Sequence, residues 1–227
     1  TDGSLCAISL SIDGNNVGDG TYTIDSETGD ISLSTAVVGQ FDNGDGTFST
    51  LSVNTLNGNA DPILGFNTSA GTGSLIGNAF SITFTLPIAL SGPINANSSV
   101  SYSLTGTTAA GAQIAPLFGN TVIAQEVDTT PGGLSALNKG VDVGNTFFFL
   151  SGPQTQSSPV YTASNSFTGD LQYDLMSVTV AFSLSKSSNV GISGFVQQVP
   201  VPEPATLVML GGGLVGLTAF GRRRPRS

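Results

Sequence analysis

The chain has 227 residues, enough for one large or two small domains, with 39% apolar residues, 9% charged residues and a formal net charge of −9. It contains no histidine and one cysteine, which excludes His-based triads, the usual zinc and iron ligand sets and an intramolecular disulfide. The acidic balance opposes a phosphate backbone, so no nucleic acid is expected as a partner, whereas divalent cations and polysaccharide are easier to accept.

The chain opens on Thr1, not Met, which is expected where an export signal has already been removed. Cys6 follows Gly3-Ser4-Leu5, a faint likeness to a lipoprotein site spoiled by the large Leu5. A buried strand thiol is the plainer expectation for it. Ile8–Ile12, Phe80–Leu86, Val100–Leu104 and Met176–Leu184 alternate apolar residues with Ser or Thr. Strand side chains point to opposite faces with period two, so each run buries one face and shows hydroxyls on the other. Asp13–Gly20 is predicted as a turn cluster, Thr21–Ile24 and Ile31–Val38 as a hairpin about Asp25–Asp30, and Asp42–Gly46 as the next turn. Asp128–Gly144 reads as a longer connection, with Leu134–Lys139 a candidate helical turn. Phe147–Leu150 reads as a strand buried on both faces, with an exposed aromatic patch as its alternative.

Many short strands between Gly/Asp/Asn turns predict an all-β body, an antiparallel β-sandwich or jelly roll, over residues 1–196. The reading then places a Pro-rich spacer at 197–204, an apolar membrane-spanning helix at 205–221 and a basic cytoplasmic tail at 222–227. Ala205–Phe220 carries no charge. As a helix it spans roughly 24 Å against a hydrocarbon core of roughly 30 Å, so it crosses if the arginines snorkel. Arg222, Arg223 and Arg224 should stay cytoplasmic and leave the body outside. Gly212 and Gly216 form a G-x-x-x-G pair that lets a second helix approach closely, or else simply sit in a flexible apolar helix.

Val201-Pro202-Glu203-Pro204-Ala205, the glycine-containing apolar segment and the arginine cluster, in that order, resemble the PEP-CTERM sorting signal of Gram-negative bacteria. The resemblance covers about the last 26 residues. It implies export through the inner membrane, an exosortase-type membrane protease acting near Pro202, Glu203 and Pro204, and a place at the cell surface or in an exopolysaccharide matrix. Cleavage there would leave the acidic body alone. From the residues themselves, an uncut single-pass anchor is the other reading.

Catalytic signatures are missing: no G-x-S-x-G elbow and no phosphate-binding loop. Glu126 and Asp128 are the nearest thing to a carboxylate pair. Asp42 and Asp45 are a candidate calcium pair, as are Asp13, Asn15 and Asp19, though neither loop keeps EF-hand spacing and ordinary turn chemistry explains both. No enzyme and no obligatory cofactor is expected. The body has two lysines against fourteen acids, so its sheet edges lack the usual charged defence. The leading expectation is therefore a self-associating structural protein of the matrix, a homo-oligomer. The alternative is a glycan-binding surface adhesin, weakened by the absence of Trp and the presence of only four Tyr, Tyr22, Tyr102, Tyr161 and Tyr173.

Overall fold

The computed structural model describes residues 6–59, 62–117, 140–167 and 173–201, together with the backbone of 123–128. The strands are β1 (Ala7–Ile12), β2 (Asn15–Thr21), β3 (Thr23–Ile24), β4 (Asp30–Ser32), β5 (Val37–Asp42), β6 (Phe48–Asn59), β7 (Ile63–Thr72) and β8 (Asn78–Leu90). They continue as β9 (Ile94–Gly106), β10 (Ala112–Pro116), β11 (Ile123–Asp128), β12 (Phe148–Leu150), β13 (Thr155–Ser157), β14 (Tyr161–Phe167), β15 (Tyr173–Leu184) and β16 (Ser188–Pro200). One antiparallel sheet has the order β12-β10-β15-β8-β1-β2, with β11 also on β15. The other runs β13-β9-β16-β7-β6-β4-β3, with β14 also on β9 and β5 also on β6. The connections β7 to β8, β8 to β9, β9 to β10 and β15 to β16 each cross between sheets. The result is the expected all-β sandwich of jelly-roll-like character.

The four alternating runs of the sequence form β1, β8, β9 and β15. Their registers put like with like. Ile8, Phe84 and Val178 share one row of the first sheet, and Ser9, Thr83 and Thr179 the next. The first row is fully buried and the second faces out. Across the gap Phe66 of the second sheet stacks on Phe84, with ring centroids 5.2 Å apart, while within the first sheet the paired Phe80 and Phe182 stack at 5.4 Å. Each such buried side chain contributes about 1.5–3 kcal/mol, so the alternation holds the two layers together.

Three expectations need correction. Only Asp13-Gly14 of the predicted Asp13–Gly20 turn is a turn, with φ of 49° and 80°. The rest is β2. Its glycines are there because β2 packs against β5. A Cβ on Gly20 would lie 2.3 Å from Val37 Cγ2, and one on Gly39 would lie 2.4 Å from Val17 Cγ2. Second, the hairpin about Asp25–Asp30 pairs only Thr23 with Ser32 and Ile24 with Ile31. Val37 and Val38 belong instead to the β5–β6 hairpin. Third, Phe147–Leu150 is not buried on both faces. β12 is a sheet edge, and Phe147 and Phe149 are 55% and 52% exposed.

The edges are also better defended than the lysine count implied. β10 and β11 share one side of β15, β13 and β14 one side of β9, and β4 and β5 one side of β6. Each flanking strand is thus broken into two pieces. Pro116 and Pro159 stand at two of the breaks. Short, interrupted edges resist strand addition without any charge.

Leu134–Lys139 and the apolar segment 205–221 lie outside the described residues. Among the described residues no helix is long and apolar enough to cross a membrane. β16 continues through Gln197–Pro200, the first half of the segment predicted as spacer.

Candidate functional site

The two ends of the sandwich differ in chemistry. At one end the chain leaves the middle of a sheet, because β16 lies between β9 and β7. Pro200 pairs with Ile94, and the Val201 N–H donates to Pro93 O at 2.8 Å. Pro202, Glu203, Pro204, Gly212, Gly216, Arg222, Arg223 and Arg224 follow and lie outside the described residues.

At the far end, the turns Asp13-Gly14 and Asn43–Thr47 meet the β7–β8 connection around Asn78. The Asn78 amide donates to Asp13 Oδ2 at 2.6 Å and to Asn43 Oδ1 at 3.1 Å. Its oxygen accepts from Ser49 Oγ at 2.7 Å and from Thr72 Oγ1. The second Asp13 oxygen accepts the Ala79 N–H at 2.7 Å. Ser49, Thr72 and Asn78 are all buried. Such a network fixes loop positions because each member would be costly to leave unpaired.

Beside it an open cleft of about 370 Å³ is bounded by Asp13, Ile76, Gln113, Ser183 and Ser185. The Gln113 N–H donates to Ser185 Oγ, and the Ser185 N–H donates back to Gln113 O. Gln113 pairs with Phe149 across β10 and β12, and directly opposed residues share a face. The exposed Phe149 ring therefore stands next to the cleft, and Phe147 follows it two positions along. One carboxylate, an amide, two hydroxyls and two open aromatic rings gather on one outer surface.

The residues singled out in the sequence sit elsewhere or act locally. Asp42 Oδ1 accepts the Gly44 N–H at 2.9 Å, and Asp45 Oδ1 accepts from the Thr47 N–H and hydroxyl. Asp19 takes both its bonds from Asn16 Nδ2, while Asn15 caps backbone oxygens of Ile12 and Asp13. Among the described residues no three His, Cys, Asp or Glu gather as a metal would require. Glu126 stands opposite Ser177 and Asp128 opposite Leu175 on β11. Cys6 is half-buried just ahead of β1, and that burial pushes its thiol up. Tyr22, Tyr102 and Tyr173 are core residues, and Tyr22 donates to Thr85 O at 2.5 Å. The open rings are phenylalanines, which a search for Trp and Tyr passes over.

Among the described residues, Asp25 and Asp45 are held away from the ordinary carboxylate value of 3.8. The Glu27 and Thr28 N–H groups hold Asp25 below it, and the Thr47 hydroxyl and N–H hold Asp45 below it. A depressed carboxyl stabilises the fold fully above its unfolded value and loses that contribution as pH falls through its folded value. No histidine titrates in the neutral range. Melting temperature is expected to stay flat between roughly pH 5 and 8 and to decline below roughly pH 4. A midpoint that drifts across the neutral range in scanning calorimetry would contradict this.

Comparison with solved structures gives distant likenesses. TmCBM61 in complex with β-1,4-galactotriose has a TM-score of 0.26 at 9% identity, over 60% of this chain and 71% of that one. The enzymatically active domain of tailspike protein 4 of bacteriophage CBA120 has a TM-score of 0.30 at 14% identity, over 86% of this chain and 19% of that one. The Arthrobacter globiformis T6 isomalto-dextranase complexed with panose has a TM-score of 0.21 at 10% identity, over 84% of this chain and 30% of that one. No curated protein matches the chain. Residues 200–224 match the PEP-CTERM protein-sorting motif. The tail therefore carries a PEP-CTERM protein-sorting motif, the signal generally associated with exosortase processing and surface export, and the match does not extend into the β body.

Proposed function

We propose that the exported body is a non-catalytic module that binds neutral polysaccharide through the cleft and its flanking phenylalanines. The observation that carries this reading is the placement of Phe149 opposite Gln113, beside Asp13, Ser183 and Ser185. Sugars present apolar C–H faces and rings of hydroxyls. An open aromatic surface takes the first, and an amide, a carboxylate and hydroxyls take the second. Glycoside hydrolysis needs two carboxylates flanking the bond. Among the described residues lining the cleft, Asp13 alone carries a carboxylate, and both its oxygens already hold Asn78 and Ala79. The sorting tail would deliver this module through the inner membrane of a Gram-negative cell, to be held there or released after exosortase cleavage. Because the tail leaves one end of the sandwich, the cleft at the other end would face away from the membrane.

Retention of the protein on immobilised dextran, galactomannan and mixed-linkage β-glucan tests the reading. Phe149→Ala is expected to weaken retention on the bound polymer about tenfold. Equal retention of wild type and variant would count against the site, and no retention on any polymer against the function. Running each column with and without a chelator reads out calcium at Asp42 and Asp45.

Self-association is a second reading. Tyr161–Phe167 is an edge strand with no charge and no proline. The interrupted edges weaken it, and a protein that stays monomeric in mass photometry at high concentration would remove it.

A further inference from the structure

We infer that the outer face of the larger sheet carries a second polysaccharide-binding groove, so that one body bridges two polymer chains. This rests on the proposed glycan-binding role and extends it. A groove of about 510 Å³ runs over β16, β9 and β14 and is lined by Asn97, Ser99, Thr162, Ser164 and Phe195. Strand register builds it from parallel rows. Phe195, Ser99 and Thr162 form one row, and Gln197, Asn97 and Ser164 the next. Val199, Asn95 and Ser166 form a third, closed by a Ser166 Oγ to Asn95 Oδ1 hydrogen bond of 2.7 Å. Phe195 is 36% exposed and has Gly65 and Ser99 as its cross-strand neighbours. No large side chain stands beside the ring on either strand.

Charge selects the occupant. The groove is lined by hydroxyls, an amide and one aromatic ring, with no ionisable side chain. The body around it is strongly acidic. A phosphorylated or uronate-rich polymer would meet repulsion with no counter-charge in the groove, whereas a neutral chain would not. The rows repeat about every 7 Å along the strands, so the ring of the first row is followed by amides and hydroxyls spaced for the next sugar units. The groove lies on strands of the larger sheet, whereas the cleft beside Phe149 lies toward the far end of the sandwich on strands of the other sheet, so the two are separate sites. A body with both sites would cross-link polymer chains, a mechanical role in a matrix that needs no contact between copies of the protein.

The test uses the full chain at one copy per lipid nanodisc, mixed with dextran, galactomannan or mixed-linkage β-glucan. Wild type should raise the viscosity of at least one polymer, with a maximum at intermediate protein and a fall at excess. Phe195→Ala and Phe149→Ala should each keep retention on that polymer, weakened about tenfold or less, and each lose the viscosity maximum. The double variant should lose retention. Asn97→Lys, which places bulk and charge in the groove, should repeat Phe195→Ala if that variant is unstable by melting. Full cross-linking by both groove variants would overturn the second groove and leave the first site standing. Abolition of all retention by Phe149→Ala alone would do the same. Failure of wild type to bind any of the polymers would overturn the glycan reading and the groove together. Particle association without polymer would assign the face to a second copy of the chain and overturn the inference.

Discussion

Asn78→Leu is expected to destabilise the body by about 3–5 kcal/mol and to lower its melting temperature by roughly 8–15 °C. Four side-chain partners meet at this one amide, two donated to and two accepted from. Leucine has a similar size but removes the acceptor shared by the buried Ser49 and Thr72 hydroxyls, leaving Thr72 without it and Ser49 with Asn43 Oδ1. It also removes a charge-assisted bond from Asp13, the strongest of the four. Each buried loss costs about 1–3 kcal/mol, and the losses overlap because Ser49 keeps a bond to Asn43 Oδ1 at 3.1 Å. Against a usual domain stability of about 5–15 kcal/mol, this is a large fraction. Asn78→Asp separates hydrogen bonding from shape. It keeps the acceptor but sets a second carboxylate against Asp13, so its deficit should shrink as pH falls and the pair takes up a shared proton. A change under about 1 kcal/mol for Asn78→Leu would show that the turns are held by something other than this network.

Gly111→Ala should cost about as much, roughly 3–5 kcal/mol, and should also damage binding. Gly111 has φ of 80°, in the left-handed region, and an added Cβ would lie 1.8 Å from Leu150 O. That oxygen is backbone, so no rotamer change relieves the overlap. The way out is for β12 to move off β10. Those two strands are joined only through the pairs Ala112–Leu150, Gln113–Phe149 and Ile114–Phe148. Displacing them carries Phe149 away from Gln113 and opens the cleft. The variant should therefore melt early and bind neutral polymer poorly even at temperatures where it remains folded. Binding at wild-type strength in the folded variant would mean that Phe149 does not help form the site.

How much of this was legible in the sequence depends on which forces left a pattern. β1, β8, β9 and β15 each bury one face, so selection for burial wrote a period of two into the chain. β2 is a strand for a different reason. Its packing against β5 needs a missing side chain at Gly20, and its sequence Asn-Asn-Val-Gly-Asp-Gly-Thr has no alternation to read. It looks like a turn. Phe147–Leu150 failed in the opposite direction, since a run of four apolar residues fits a buried strand equally well and periodicity cannot separate an edge from a centre. Phe195 was readable in principle. Val190, Ile192 and Val196 set the inward phase of β16, and Phe195 falls out of it. Edge protection is not legible in the lysine count, because Pro116 and Pro159, which stand where the edges break, supply it without charge. The tail needed no fold at all, since its order of Pro-Glu-Pro, apolar run and arginines is carried by sequence alone.

Binding of neutral sugar by the surface around Gln113 and Phe149 is read out by backbone-amide chemical-shift mapping during titration with gluco-, galacto- and manno-oligosaccharides. Saturable shifts are expected at Gln113, Phe149, Ser183 and Ser185 with at least one of these sugars. Shifts that avoid this surface, or none with any sugar, would contradict it.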